Sequence, residues 1–179
     1  METQVIIDEL TRASQSLKED QLQSIIDKIR SHKRIFVYGT GRSGLMLKTF
    51  AMRLMQLGMT AYVVGETTTP SIGSGDLLIA ASASGTTASV CTTAEAALKD
   101  GAALCVITAS PESPLAKLQK PDIIIRSATK FATSDASIQP LGSLFEQMLL
   151  VVFDSLVLRM SQTHNGSNDA MASRHANLE

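Results

Sequence analysis

Short apolar runs alternate with longer amphipathic segments along most of this chain of 179 residues. Because the runs lack a polar face, they are typical of parallel strands that are covered by helices on both sides, and right-handed crossovers place those helices. We therefore expect an α/β fold, a three-layer αβα sandwich around a five-stranded parallel sheet. The predicted strands lie near residues 34–38, 60–64, 76–81, 102–108 and 121–125, and the predicted helices near residues 43–57, 87–99, 113–119 and 143–160.

Both ends of the chain differ from this alternating pattern. Residues 4–30 carry apolar side chains three and four positions apart, which predicts one long or two short amphipathic helices within an N-terminal helical segment, residues 1–31. Residues 161–174 are polar, and we expect a mobile tail there. Residues 126–142 are rich in Ser, Thr, Ala and Gly and are predicted to form a loop. A chain of this length is most simply a single domain.

Composition argues against several classes of function. The formal net charge is −1 and aromatic residues make up 4% of the chain, whereas nucleic-acid surfaces are basic and often aromatic. Cys91 and Cys105 fit no metal-ligand spacing, and we expect both to be free, buried thiols. The most apolar stretch, residues 148–153, is too short to span a bilayer, and no signal segment is recognisable. We therefore expect a cytoplasmic protein that binds no metal, nucleic acid or membrane.

Two loops rich in glycine and hydroxyl side chains follow the first and third predicted strands. Residues 39–44 read Gly-Thr-Gly-Arg-Ser-Gly, and residues 82–87 read Ser-Ala-Ser-Gly-Thr-Thr. Glycine lets backbone amides approach an anion, a helix N-terminus adds a favourable dipole, and hydroxyls add donors. In a flavodoxin-like strand order 2-1-3-4-5, both loops would open onto one crevice. We predict that the phosphate or the rest of a phosphorylated substrate binds Gly41, Arg42, Ser43, Ser82, Ser84, Gly85, Thr86 and Thr87.

The same loops have other interpretations. Residues 39–44 match the dinucleotide fingerprint Gly-x-Gly-x-x-Gly, and Glu66 stands past the second predicted strand, where a ribose-binding acid is expected. A dinucleotide-binding oxidoreductase is therefore one alternative, although Arg42 and Ser43 suit a terminal phosphate and no second domain remains for a redox substrate. Each loop could also be a tight turn or a helix N-cap without a ligand.

Taken together, the two loop motifs resemble the sugar isomerase (SIS) family of phosphosugar-binding domains. Residues 137–147, Ser-Ile-Gln-Pro-Leu-Gly-Ser-Leu-Phe-Glu-Gln, and residues 174–179, Arg-His-Ala-Asn-Leu-Glu, further resemble the 6-phospho-3-hexuloisomerases of that family. The resemblance covers essentially the whole chain and implies a single SIS domain over residues 1–179. It also implies interconversion of D-arabino-hex-3-ulose 6-phosphate and fructose 6-phosphate through a cis-enediol, as in formaldehyde fixation by the ribulose monophosphate pathway, without a cofactor.

The resemblance implies that Glu146 and His175 are catalytic. Glu146 would be the base that moves a carbon-bound proton, and His175 its acid–base partner, from the same or another subunit. From the residues alone, Ser143-x-x-Glu146 is equally a capping box, and a histidine near a chain end is often only solvated. Lys130 is a weaker candidate for binding phosphate, and Glu66 for binding sugar hydroxyls.

The predicted helix at residues 143–160 is apolar around most of its circumference, which fits either the central helix of a monomer or subunit contacts. The resemblance implies a homo-oligomer, a dimer or a homotetramer, with the active site near a subunit interface. It also makes 3-hexulose-6-phosphate synthase a candidate functional partner. A non-catalytic phosphosugar sensor is a further alternative, although residues 1–30 lack the basic recognition helix of a DNA-binding regulator.

Overall fold

A computed structural model describes residues 1–129, 135–162 and 167–178 of the chain. These residues form one sheet of five parallel strands in the order β2-β1-β3-β4-β5, so the expected fold class and strand order are confirmed. The strands are β1 Arg34–Tyr38, β2 Thr60–Val63, β3 Asp76–Ser82, β4 Ala103–Thr108 and β5 Ile123–Ile124. The helices in the same ranges are α1 Glu2–Ser14, α2 Glu19–Ser31, α3 Gly41–Gln56, α4 Ala88–Lys99, α5 Pro114–Leu118, α6 Ser143–Ser161 and α7 Asn168–Ala172.

Strand β3 explains why the apolar runs do not alternate with polar residues. It lies between β1 and β4, and all seven of its residues are buried. Leu77 and Ile79 belong to a core cluster shared with α2, α3 and α6, whereas Leu78 and Ala80 belong to a second cluster shared with α4 and α5. Helices therefore cover both faces of the sheet, and both sets of side chains must be apolar.

The first glycine-rich loop packs β1 directly against the start of α3. A Cβ atom on Gly44 would overlap the carbonyl oxygen of Gly39, and a Cβ on Gly39 would lie 2.7 Å from Cδ1 of Leu47. The loop therefore needs glycine at these two positions for packing alone. Of the fingerprint glycines, Gly41 is the one that lines the cavity described below, and it has a φ of +55°.

Several local predictions differ from the structure. The last strand contains two residues rather than the five predicted, whereas the N-terminal segment forms two helices, one of the two arrangements predicted. Within the segment expected to be mobile, residues 168–172 form α7. Cys105 is buried, which raises the pKa of its thiol, but Cys91 is only half-buried. Sγ of Cys91 donates to the carbonyl oxygen of Gly85, in the second loop, at 3.5 Å. Among the described residues, none of the helices is both long and apolar enough to cross a bilayer.

Candidate active site

A cavity of about 190 Å³ opens at the carboxyl ends of β1 and β3. Its lining comes from residues 40–43, from residues 81–84 with Thr87, and from residues 141–142 with Glu146. Strands β1 and β3 are neighbours, but the chain continues from β1 to β2 on one side and from β3 to β4 on the other. Ligands bind in the crevice at such a switch point in open α/β sheets. The structure therefore brings both loops and Glu146 to the same cavity.

The second loop is held in one shape by its own hydroxyl groups. Oγ of Ser82 accepts a hydrogen bond from the amide of Gly85 at 3.1 Å and lies 3.1 Å from Oγ1 of Thr87. Oγ of Ser84 accepts bonds from the amide and the hydroxyl of Thr86, at 3.3 and 3.0 Å. Gly85 has a φ of +62°, and a Cβ there would overlap the side chain of Ser113.

Not all of the predicted residues of this loop face the cavity. Ser82, Ser84 and Thr87 line it, whereas Gly85 and Thr86 contribute to the shape of the loop. Thr87 occupies the N-cap position of α4, but its hydroxyl lies beside Ser82 and makes no cap bond to the described part of the helix. The interpretation of this loop as an ordinary side-chain N-cap is therefore wrong for Thr87.

The first loop provides the opposite wall, at the N-terminus of α3. Gly41, Arg42 and Ser43 all line the cavity, as does Thr40. The first turns of α3 and α4 carry no acidic side chain within the described residues. Because backbone amides and the helix dipole favour anions at such ends, the two helices make this part of the cavity suited to a negatively charged group.

Glu146 is the acidic side chain of the cavity. Its carboxylate oxygen Oε2 accepts a hydrogen bond from Nε of Arg42. The Glu146 side chain is 16% exposed and the Arg42 side chain 65% exposed. Arg42 can therefore be reached by a ligand while it holds the carboxylate in place.

The predicted capping box at the start of α6 is wrong. Gly142, which has no side chain, occupies the N-cap position, and Oγ of Ser143 donates to the carbonyl oxygen of Pro140 at 2.7 Å. The amide of Glu146 donates to the carbonyl oxygen of Gly142 at 3.1 Å, as in an ordinary helical turn. The Glu146 side chain is thus free of a capping role and is directed toward Arg42.

His175 lies outside this cavity lining in the described chain. The preceding Arg174 donates from Nη1 to the carbonyl oxygen of Gln56 at 3.1 Å, and its guanidinium packs beside Gly58. These contacts dock the C-terminal segment at the far end of α3, whereas the cavity lies at the start of that helix. A helix of 16 residues is about 24 Å long. Within one chain, the structure therefore separates His175 from Glu146.

The other candidates are also placed away from the cavity or are not described. Glu66 is exposed and forms an ion pair with Lys48 at 4.0 Å. Lys130 lies outside the described residues. Leu141, which was not a predicted site residue, lines the cavity with a φ of +57°. Among the described residues there is no cluster of three or more metal-binding side chains.

Comparison with known proteins is consistent with this geometry. The sequence profile of the SIS domain family matches residues 28–156. A 3-hexulose-6-phosphate isomerase of Mycobacterium gastri is 42% identical over 176 residues, which cover 98% of this chain and 88% of that protein. The 3-hexulose-6-phosphate isomerase of Bacillus subtilis is 39% identical over 178 residues, 97% of this chain and 95% of that protein.

A solved structure from Methanococcus jannaschii, a hypothetical protein inferred to be a 3-hexulose-6-phosphate isomerase, matches with a TM-score of 0.83. Its sequence is 32% identical, and the match covers 99% of both chains. The profile, the relatives and the shared architecture agree over nearly the whole length. This chain therefore belongs to the SIS domain family, in the group that contains the proteins named 3-hexulose-6-phosphate isomerase.

Proposed function

We propose that this protein interconverts D-arabino-hex-3-ulose 6-phosphate (3-hexulose 6-phosphate) and fructose 6-phosphate. The observation that carries the proposal is one cavity in which a carboxylate, Glu146, stands across from the hydroxyl-rich loop at residues 82–87. An anion site beside a proton acceptor is what isomerisation of a phosphorylated ketose requires. The relatives named for this activity, up to 42% identical, support the same conclusion.

The phosphate group is proposed to bind at the second loop. Hydroxyls of Ser82, Ser84 and Thr87 and the amides at the start of α4 supply donors, and the α4 dipole favours the dianion. Gly85 and Thr86 keep the loop in shape through the bonds described above. Gly41 and Ser43, on the opposite wall, are proposed to bind the sugar hydroxyls.

The chemistry is a proton transfer between neighbouring carbons. Glu146 removes the proton from C2 of the 3-hexulose, the electron pair forms the C2–C3 double bond, and O3 takes the negative charge. Glu146 returns the proton to C3 and the proton of O2 passes to O3, so the carbonyl moves to C2 and no atom is gained or lost overall. The Arg42 guanidinium, which bonds Glu146, is proposed to stabilise the enediolate oxygen.

His175 is proposed to move protons between O2 and O3 after delivery from a second copy of the chain. Its separation from Glu146 within one chain motivates this assignment. Exposed apolar side chains on α3 and α6 offer a surface for a second copy, among them Met52 at 45% exposed and Leu158 at 65% exposed. We propose a homo-oligomer, a dimer or homotetramer, that acts in the cytoplasm, where sugar phosphates are metabolised, on the product of 3-hexulose-6-phosphate synthase.

The test is proton NMR of the protein with fructose 6-phosphate in deuterium oxide. We expect the C3 proton of fructose 6-phosphate to exchange and a second ketose phosphate to appear. Glu146→Gln keeps the shape of the side chain and should slow exchange by about 10²-fold or more, as loss of a general base does. Asp154→Asn, an exposed carboxylate change on the same helix, should leave the rate unchanged. Binding without proton exchange would instead indicate a phosphosugar sensor.

A further inference from the structure

We infer that Glu9, on α1, is a positioning residue for this active site, acting through Gln139 and Gln147 on the segment that carries Glu146. The inference rests on the proposed function, because its effect is read as turnover. Glu9 lies in the helical segment that precedes the sheet, far from the cavity in sequence. Its role follows from a hydrogen-bond network that ends at the residue beside Glu146.

Glu9 is a buried carboxylate with three donors. Glu9 is only 2% exposed to solvent. Oε1 accepts from the amide of Ile138 at 2.8 Å, and Oε2 accepts from Oγ of Ser137 at 2.6 Å and from Nε2 of Gln139 at 2.8 Å. Burial raises the pKa of Glu9, but these bonds outweigh it and hold the pKa below its ordinary value. The ionised carboxylate therefore ties residues 137–139 to α1 by charge-assisted bonds.

The network continues from Gln139 to α6. Because an ionised carboxylate only accepts, Glu9 fixes the Gln139 amide with its nitrogen toward Glu9 and its oxygen free to accept elsewhere. That oxygen, Oε1, accepts from Nε2 of Gln147 at 2.8 Å. Oε1 of Gln147 is buried and has no partner among the described residues. The orientation of Gln147, next to Glu146, is thus set by the network that begins at Glu9.

The segment between residues 137–139, which Glu9 holds, and the start of α6 forms a wall of the cavity. Leu141 and Gly142 line the cavity, and Leu141 has a φ of +57°, a conformation that a branched side chain adopts only when neighbouring contacts impose it. Downstream, Ser143 bonds the carbonyl oxygen of Pro140. Upstream, Glu9 holds residues 137–139. Without Glu9 the strained residue can relax, and both the wall and the start of α6 can shift.

Glu9→Gln tests this arrangement. A glutamine has one acceptor oxygen, so in either orientation its amide nitrogen meets a donor, the amide of Ile138 or Nε2 of Gln139. One of the bonds that hold residues 137–139 is therefore lost while side-chain volume is kept. Since a displacement of ~1 Å can cost about 10²-fold in rate, we expect kcat to fall by about ten- to a hundred-fold. We expect KM to change little, because among the described residues no hydrogen bond of the network reaches the loop at residues 82–87. Gln147→Met removes the link and its unpartnered oxygen together, so it should lower kcat without lowering the melting temperature.

Asp122→Asn is the matched control. Its carboxylate also accepts from a backbone amide, that of Val106 at 3.0 Å, and pairs with Lys28 at 2.5 Å. Asp122 directly precedes β5, the edge strand that β4 separates from β3, and it does not line the cavity. We expect this variant to lose stability as Glu9→Gln does and to keep the kcat of the wild type.

The double variant Glu9→Gln with Gln139→Glu should rescue activity. Nε2 of the new glutamine can donate to the new carboxylate, so the bond between positions 9 and 139 is restored with reversed polarity. The carboxylate still accepts from Gln147, and the oxygen of the new glutamine can still accept from the amide of Ile138. We expect kcat within about threefold of the wild type. The inference is overturned if Gln147→Met keeps the kcat of the wild type, or if Glu9→Gln has the same kcat as Asp122→Asn. It is also overturned if the double variant has no higher kcat than Glu9→Gln. A wild-type protein that fails to exchange the C3 proton instead overturns the proposed function, and this inference with it.

Discussion

Replacing Arg42 by Met separates catalysis from stability. The Arg42 side chain is 65% exposed, and exposed ion pairs contribute only ~0–1 kcal/mol to folding. For a chain of this size 1 kcal/mol corresponds to about 2–4 °C in melting temperature, so we expect a shift of at most that size. The same guanidinium holds Glu146 and is proposed to stabilise the enediolate, and loss of such a donor costs about 10²–10³-fold in kcat.

Arg159→Met provides the comparison for this prediction. Arg159 pairs with Glu19, so it is also an arginine–glutamate pair, but it lies at the other end of α6. Thermal unfolding and the NMR exchange rate should be measured for both variants. We expect similar melting temperatures and a loss of activity only for Arg42→Met. If Arg42→Met turns over as fast as Arg159→Met, the assignment of Arg42 to the catalytic cavity is incorrect.

Three further outcomes are expected. Gly85→Ala, which adds a Cβ at a φ of +62° against a neighbouring side chain, should weaken fructose 6-phosphate binding by calorimetry and cost about 1–3 kcal/mol in denaturant unfolding. Asp76 has a pKa held below its ordinary value of 3.8, first by its hydrogen bonds to Arg34. Its stabilisation is therefore present above that value and lost as the pH falls through the folded-state pKa, so Asp76→Asn should flatten the acid side of a stability–pH curve. Mixed subunits of Glu146→Gln and His175→Asn should regain activity if each site takes residues from two chains, and an unchanged, inactive mixture would contradict delivery of His175 by a partner.

The sheet and the shared cavity could be predicted because they depend on local patterns. Strand β3 is apolar on both faces, which identifies a central parallel strand. Strand order then places the loops at residues 39–44 and 82–87 at one edge. The parallel strands needed only residue types and their spacing, whereas the order 2-1-3-4-5 comes from the flavodoxin-like arrangement and not from the spacing. Given that order, the carboxyl ends of β1 and β3 lie side by side.

The remaining features depend on contacts between distant parts of the chain. Ser143 and Glu146 have the spacing of a capping box, but Glu146 pairs with Arg42, 104 positions earlier. Glu9 looks like an exposed helical acid in the sequence, yet its partner Ser137 is 128 positions away. The positive φ of Leu141 is imposed by its neighbours, since leucine does not favour it. Such residues become interpretable only once the partners are known.

The sheet separates the two halves of the cavity. The loop at residues 82–87 leads into α4, which packs in one layer, whereas Glu146 lies on α6 in the layer on the opposite face. The cavity walls therefore depend on different sets of core side chains. Engineering that alters the α6 layer to accept a longer or shorter sugar can leave the α4 layer untouched. A library confined to residues 140–145, which keeps Glu146 and its positioning network, would therefore explore new ketose phosphates while retaining the anion-binding loop.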